Sequence, residues 1–372
     1  MRVGTPTETK TAERRVGLTP VSVRELAAHG HEVLVQSGAG AGIGASDEEY
    51  AGAGATIVGS AEEVFEAELI VKVKEPQAPE RAMLRSDHIL FTYLHLAPDP
   101  AQADDLVASG AACIAYETVT DDHGHLPLLA PMSKVAGRMS VQAGANWLES
   151  AHGGAGILLG GVPGVAPAEV TVIGGGVVGE NAIQMAVGLG ANVTVLDKVP
   201  AVLDRLDARF PAITTVHSTR AALEHHVVGS DLVIGAVLVP GAKAPKLVTA
   251  EMVKQMRPGS VLVDVAIDQG GCFETSRPTT HDDPAYLVDG VVHYCVANMP
   301  GAVARTSTHA LNNVTLPHVL ALADLGLAGA LAADPHLRRG LNVLDGQITE
   351  PAVAEALSRP HVPAEDALRA RA

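Results

Sequence analysis

Short apolar runs alternate with amphipathic stretches along almost the whole chain, a pattern of strands separated by helices. In the first part, apolar runs at residues 2–4, 32–36, 55–58, 69–73, 89–93 and 112–116 predict strands. Helical patterns at 21–28, 47–51, 61–66 and 100–108 lie between them, which makes this part a doubly wound sheet in its own right. A proline-free helical pattern over 133–152 leads into a second set of strands at 170–173, 192–196, 213–216, 232–237, 260–266 and 291–296. After Pro300 the pattern turns helical again, most clearly over 311–325. The expected fold class is α/β, with two doubly wound domains and a cleft between them, where open sheets of this kind bind small molecules.

The second set of strands begins with the most informative stretch of the chain, VTVIGGGVVGENAIQMAVGLGANVTVLD, residues 170–197. Gly174, Gly176 and Gly179 fill the G-x-G-x-x-G positions between a buried strand and a helix. The first permits a tight turn, the second keeps side-chain atoms away from a pyrophosphate, and the third lets helix and strand pack closely. Phosphates then meet the free N–H groups and positive dipole end of the helix. The next strand ends at Asp197, placed to accept hydrogen bonds from ribose hydroxyls and to repel a 2'-phosphate, which favours NAD over NADP. Lys198 beside it acts in the opposite sense. A glycine turn alone occurs in many α/β proteins, but strand, helix, second strand and terminal acid in register select the dinucleotide reading. We therefore expect residues 131–304 to form a six-stranded Rossmann NAD-binding domain, and 1–130 with 305–372 to form a discontinuous substrate-binding and catalytic domain.

Composition narrows the class further. The length of 372 residues suits two domains, and Ala, Val, Leu and Gly carry the packing because aromatic residues make up 3%. A net charge of −16 argues against nucleic acid or an anionic membrane surface as a partner. Cys113, Cys272 and Cys295 cannot all pair and lack CxxC spacing, so they read as reduced core residues of a cytoplasmic protein. The N-terminal stretch MRVGTPTETKTAERR has no apolar core of a secretory signal, and no segment is expected to provide the roughly 20 uninterrupted apolar residues of a membrane span. Of the 16 histidines none shows His-x-x-x-His spacing beside an acid, so no metal is expected, and His225-His226 reads as a solvated helix end.

Four further segments carry polar groups at strand ends, where loops of open sheets build sites. In Glu13-Arg14-Arg15-Val16 an arginine after the first strand could hold a carboxylate bidentately. In Val71-Lys72-Val73-Lys74-Glu75-Pro76, strand alternation puts Lys72 and Lys74 on one face. The run Phe91-Thr92-Tyr93-Leu94 ends on His95, and Asp264 and Asp268 flank a strand end before Gly270-Gly271. Each has an ordinary reading: a solvated arginine, a snorkelling lysine, a structural histidine, or aspartates that order a turn. Together they supply a carboxylate clamp, a proton carrier and a base in a chain that binds a hydride carrier.

At this point the chain resembles the L-alanine dehydrogenases, from the N-terminus to about residue 345. The segments that carry the resemblance are MRVGTPTETK, RRVGLTP, KVKEP, FTYLHLA, AYETV, PLLAPMSKVAGR, IGGGVVG, GAVLVPGAKAPKL, DVAIDQGGCFE, SRPTT and CVANMPGAVARTST. The same superfamily holds the soluble subunit of proton-translocating transhydrogenase, and KVKEP with HLA at a strand end favours the dehydrogenase branch. The resemblance implies reversible, NAD-dependent oxidative deamination of L-alanine to pyruvate and ammonium in a cytoplasmic homo-oligomer, commonly a hexamer. It also implies that Arg15 and Lys74 bind substrate, that His95 is the general acid/base and that Asp268 stands on the other side of the reacting carbon. Ser133, Val177, Val178, Asp197, Ser218, Val237, Leu238, Val265, Ile267, Asp268, Arg277, Val296, Asn298 and Met299 fall where the family contacts NAD, along with the three glycines. Val202 stands where some relatives carry a basic residue, and the tail from Asp345 matches poorly. Two competing readings remain: an opine- or lysine-type dehydrogenase that reduces an imine, and a transhydrogenase-like subunit that carries NAD(H) to a partner.

Overall fold

The computed structural model describes residues 1–237 and 244–371, so the expected cofactor contact Leu238 lies outside the described residues. The chain divides into two compact units, Met1–Met132 with Val303–Ala372, and Ser133–Ala302. In the first, β1 (Arg2–Thr5), β2 (Glu32–Gln36), β3 (Ala55–Val58), β4 (Leu69–Val71), β5 (Ile89–Thr92) and β6 (Ala112–Ala115) run parallel in the order β3-β2-β1-β4-β5-β6. The order reverses between β1 and β4, the switch point beyond which loops diverge and leave room for a ligand.

The second unit has β7 (Glu169–Ile173), β8 (Asn192–Asp197), β9 (Ile213–His217), β10 (Leu232–Gly235), β11 (Val261–Asp264), β12 (Ala285–Val288) and β13 (Val291–Tyr294). Their order is β12-β13-β11-β10-β7-β8-β9, the six-stranded Rossmann sheet with one strand more. The extra strand, β12, pairs antiparallel with β13 across Asp289 and Gly290, which have φ of 50° and 80°. Both central residues at positive φ make the tight hairpin that an Asp-Gly pair favours. The chain then returns to the first unit, where β14 (Leu341–Leu344) lies antiparallel to β6 and pairs with β15 (Gln347–Ile348). Asp345 and Gly346, at φ of 48° and 80°, make the same kind of turn. The poorly matching tail is thus part of this sheet's edge.

Several strands stop earlier than the apolar runs suggest: β4 at Val71, β10 at Gly235, β11 at Asp264 and β13 at Tyr294. Val73, Tyr93, Tyr116 and Val296 are still buried beyond the strand ends, so hydrophobicity alone overstates strand length. The helix expected over 133–152 runs Ala130–Trp147 and is followed by a separate short turn, Ser150–His152.

The helix expected over 311–325 spans Ala304–Ala333 and breaks at Gly326, which has φ 67° and ψ 173°. By length and composition Met299–Ala333 is apolar enough to cross a membrane, an exception to the expectation that no segment is. Its polar groups bond within the first unit: Thr308 Oγ1 accepts from Val16 N at 3.3 Å, and Asn312 Oδ1 accepts from Thr19 N at 2.9 Å and Ser22 Oγ at 2.7 Å.

Aliphatic side chains from strands and helices fill both cores, for example Ile70, Leu90, Leu106 and Val343 in one unit and Val172, Ile183, Val195 and Ile234 in the other. The three cysteines are unpaired and buried, and burial pushes the Cys113 thiol up to about 12.

Candidate active site

In both units most of the expected site residues lie in segments that follow the C-terminal ends of parallel strands. In the second unit, Gly174 turns at φ 101°, and a Cβ there would come within 2.7 Å of Ala236 O. A Cβ on Gly179 would collide with Gly174 O, so this glycine serves the close packing of helix on turn. Gly176 differs: its φ is −72°, and a Cβ would meet nothing within 4 Å. The fold itself therefore does not require glycine at 176, and the open space beside its Cα leaves room for a pyrophosphate to approach the backbone.

Gly176 is also the N-cap of the 12-residue helix Val177–Gly188, with no side chain capping it among the described residues. The uncapped N–H groups suit a pyrophosphate. Glu180 would oppose an anion in this first turn, but it forms ion pairs with Arg205 and Arg209. Asp197 ends β8 and accepts from Gly175 N at 2.7 Å through Oδ2 and from Val199 N at 2.9 Å through Oδ1. Its main-chain oxygen accepts from Ser218 N at 2.9 Å. Asp197 thereby ties the glycine turn to the segment after β9, at the edge where Val237 also follows β10, and the residues present fit NAD.

Farther along this edge the two acids part company. Asp264 is buried and accepts from Ala266 N, Cys272 N, Phe273 N and Ser276 Oγ, the last at 2.6 Å. It orders the glycine turn, while burial pushes its carboxyl up against the pull of these donors. Asp268 is exposed in the short turn Val265–Gln269 and accepts from Asn298 N at 3.3 Å. Asn298 itself has φ 59°. Val265 and Ile267 belong to the same turn, Val296 and Met299 are packed in the core, and Arg277 lies 4.0 Å over the Tyr286 ring. Ser133 is half-buried on the helix Ala130–Trp147.

The first unit builds its edge from charge. Arg15 is buried and grips Glu13 with two parallel bonds, Nε to Oε1 at 2.7 Å and Nη2 to Oε2 at 2.5 Å. Its Nη1 donates to Met132 Sδ at 3.0 Å, a weak acceptor that a carboxylate would outcompete. A depression of about 360 Å³ borders Thr7, Glu8, Glu13 and Arg15.

Lys72 and Lys74 do not share a strand face, because β4 ends at Val71. Lys72 is fully buried between Glu8 and Glu80, at 3.0 and 2.7 Å. Two carboxylates on one ammonium leave a net negative charge, so burial raises Glu8 while both acids keep Lys72 protonated. Lys74 is half-buried, and its main-chain oxygen accepts from Thr92 Oγ1 at 3.0 Å.

His95 has φ 50°, a rare conformation for a residue with a Cβ. Glu117 at the end of β6 holds it there, accepting from Leu94 N at 3.1 Å and His95 N at 2.6 Å, with Oε1 3.9 Å from the imidazole Nδ1. The Tyr93 ring stacks on the imidazole at 5.9 Å, and its hydroxyl donates to Leu128 O. Glu75 pairs with Lys10 through Oε1, while its Oε2 is the buried side-chain oxygen left without a hydrogen bond among the described residues. Burial alone would raise the Glu75 carboxyl, but Lys74, Lys10 and His95 outweigh it and hold it low. Sequence reasoning missed the parts played by Glu13, Glu75 and Glu117; all three are acids at or near strand ends, and their positions were the only signal available.

An open parallel sheet with an uncapped glycine turn at its switch point defines the class of dinucleotide-binding proteins. Comparison with known proteins gives the family. Residues 4–136 match the alanine dehydrogenase/PNT N-terminal domain and residues 140–351 match the alanine dehydrogenase/PNT C-terminal domain. The chain is 63% identical to an alanine dehydrogenase of Halomonas elongata, over 98% of this chain and 99% of that protein. It is 54% identical to an alanine dehydrogenase of Bacillus subtilis, over 99% and 98%. Among solved structures, an L-alanine dehydrogenase superposes with a TM-score of 0.94 at 51% identity, covering 96% of this chain and 99% of that one. A transhydrogenase of Sinorhizobium meliloti superposes at 0.81 with 26% identity, covering 95% and 100%. The chain belongs to the alanine dehydrogenase/PNT family.

Proposed function

We propose that this chain is an NAD-dependent dehydrogenase that interconverts L-alanine with pyruvate and ammonium. The observation that carries this reading is near full-length kinship with alanine dehydrogenases, joined to Arg15, Lys74 and His95 in the segments that follow β1, β4 and β5 of one unit. Arg15 and Lys74 bind the substrate carboxylate and orient Cα, and such positioning supplies much of the rate. Bound at the glycine turn, NAD would supply the acceptor for the hydride that leaves Cα. His95 takes a proton from the water that adds to the resulting imine and returns it to the departing nitrogen, and Asp268 holds water or ammonia. The carbinolamine then collapses to pyruvate and ammonium. Gly174, Gly176 and Asp197 would hold the pyrophosphate and the ribose, with Gly179 letting the helix pack against the turn.

Absorbance of NADH tests this reading directly, with NAD and L-alanine at alkaline pH and with NADP, D-alanine, glycine, serine and lysine as controls. Rapid NADH formation with L-alanine is expected. Oxidation should quicken as pH rises, because hydride leaves a carbon bearing a neutral amine, whereas amination should prefer a lower pH; coincident profiles would sink this proton accounting. The likeness to transhydrogenase favours a second reading, an NAD(H)-carrying subunit, which predicts NADH binding with no turnover of any amino acid. Family membership also supports a cytoplasmic homohexamer, and the charge of −16 weighs against nucleic acid. Light scattering on the eluting protein tests the oligomer.

A further inference from the structure

At the opposite edge of the first sheet, away from the strand ends that carry His95, three side chains meet that the reaction does not use. His29 caps the helix Pro20–Ala28, Gly30 reverses the chain at φ 84°, and His31 immediately precedes β2. The His-Gly-His spacing thereby turns both rings to one side, with centroids 6.4 Å apart. Asp324 comes from the long helix and stands between them, its Oδ2 3.0 Å from His29 Nδ1 and its Oδ1 2.8 Å from His31 Nε2. All three ligand atoms lie within 4.8 Å of one another.

We propose that His29, His31 and Asp324 bind one divalent transition-metal ion of the zinc type. In a tetrahedral zinc site with bonds of about 2.0–2.1 Å, ligand atoms stand roughly 3.3 Å apart; Asp324 Oδ1 is already 3.3 Å from His29 Nδ1 and 2.8 Å from His31 Nε2, and with all three ligand atoms within 4.8 Å the two rings need only a small approach. Two imidazoles and one carboxylate are donors that suit zinc, cobalt or nickel better than calcium or magnesium, which prefer all-oxygen shells. Three protein ligands leave a position for water, in keeping with the exposure of His29.

The ion would join the end of one helix, the start of β2 and the long helix two residues before its break at Gly326. It clamps the backbone at a point where helical hydrogen bonding is interrupted, which is a stabilising role and not a step in the hydride reaction. His31 Nδ1 lies 3.4 Å from the Met1 amine, so loading requires that amine to give up a proton or turn aside. An unmetallated cluster would instead be an ordinary pair of histidine–aspartate bonds, worth little at a surface.

The test is titration of tag-free, chelator-treated full-length protein with Co²⁺, read by visible absorption, and with Zn²⁺, read by calorimetry. One ion per chain and a tetrahedral cobalt spectrum are expected. His29→Ala, His31→Ala and Asp324→Asn should each weaken binding by more than the roughly 10–100-fold lost with an outer-sphere partner, with turnover and circular dichroism unchanged. Zn²⁺ should also raise the unfolding temperature of wild type and not of the variants. Absence of saturable binding in wild type, or equal stoichiometry and affinity in the folded His29→Ala/His31→Ala protein, overturns the proposal.

Discussion

The two units share one sheet order, β3-β2-β1-β4-β5-β6 in the first and β9-β8-β7-β10-β11-β13 in the second, yet they furnish the same edge with opposite chemistry. After β7 the turn is Gly174-Gly175-Gly176, and what it offers is main chain: bare N–H groups, a helix end and one carboxylate that braces the turn. After β1, β4, β5 and β6 the first unit offers side chains instead, with Arg15, Lys74 and His95 each set among acids. Main-chain donors suit a long phosphate-bearing cofactor, because they do not depend on rotamers. A small substrate has few atoms to grip, so its site needs directed charges and a titratable ring, each held by a neighbour. Topology decides where the loops are; residue type decides what they hold.

This contrast can be broken at definite points. The largest effect is expected from His95→Ala, which should lower turnover by about 100-fold or more and leave NADH binding, followed by fluorescence, unchanged. Equal losses in both quantities would mean that the charged edge and the glycine edge are not separate in function. Glu117→Gln keeps the size of the side chain but loses the charge that fixes His95 at φ 50°. A loss on the order of tenfold in kcat is expected, below the ~100-fold that a 1 Å misplacement can cost, and an unaltered pH–rate profile would argue against this positioning role.

Asp197→Ala removes acceptors for Gly175 N and Val199 N as well as the ribose partner. NAD affinity should fall roughly tenfold, the equivalent of one lost charge-assisted hydrogen bond, and the preference over NADP should shrink; an unchanged preference would remove Asp197 from the ribose. The smallest but sharpest contrast is between two glycines. Gly179→Ala should cost about 1–3 kcal/mol in a urea melt through overpacking, whereas Gly176→Ala, with open space around its Cβ, should leave the melt within about 0.5 kcal/mol and weaken only NAD. Equal stabilities would refute the division between packing glycine and ligand glycine.

Both sheets and their order of elements were legible because buried parallel strands leave apolar runs and the covering helices leave amphipathic ones. The two Asp-Gly hairpins, at 289–290 and 345–346, were legible as well but passed over, and each adds an antiparallel strand at a sheet edge. The span-length helix was missed because its apolar run is interrupted by Thr315, Pro317, His318 and Asp324, while the helix continues through all four. Residue types at strand ends marked Arg15, Lys74, His95 and Asp268 as candidates. Their partners Glu13, Glu75 and Glu117 were not marked, since nothing in the local pattern distinguishes a partnered acid from a solvated one.

By itself the sequence determined the α/β class, the dinucleotide turn and the family to which the chain belongs, because these rest on local periodicity and on spacing within short segments. Only the tertiary structure decided that Lys72 is consumed by Glu8 and Glu80, that Asp264 braces a turn while Asp268 stays exposed, that Glu117 holds His95, and that Asp324 reaches back 295 residues to His29. The reason is physical: a charge buried at a strand end must find its partner, and that partner comes from whichever loop the sheet order brings alongside, however far away it lies along the chain.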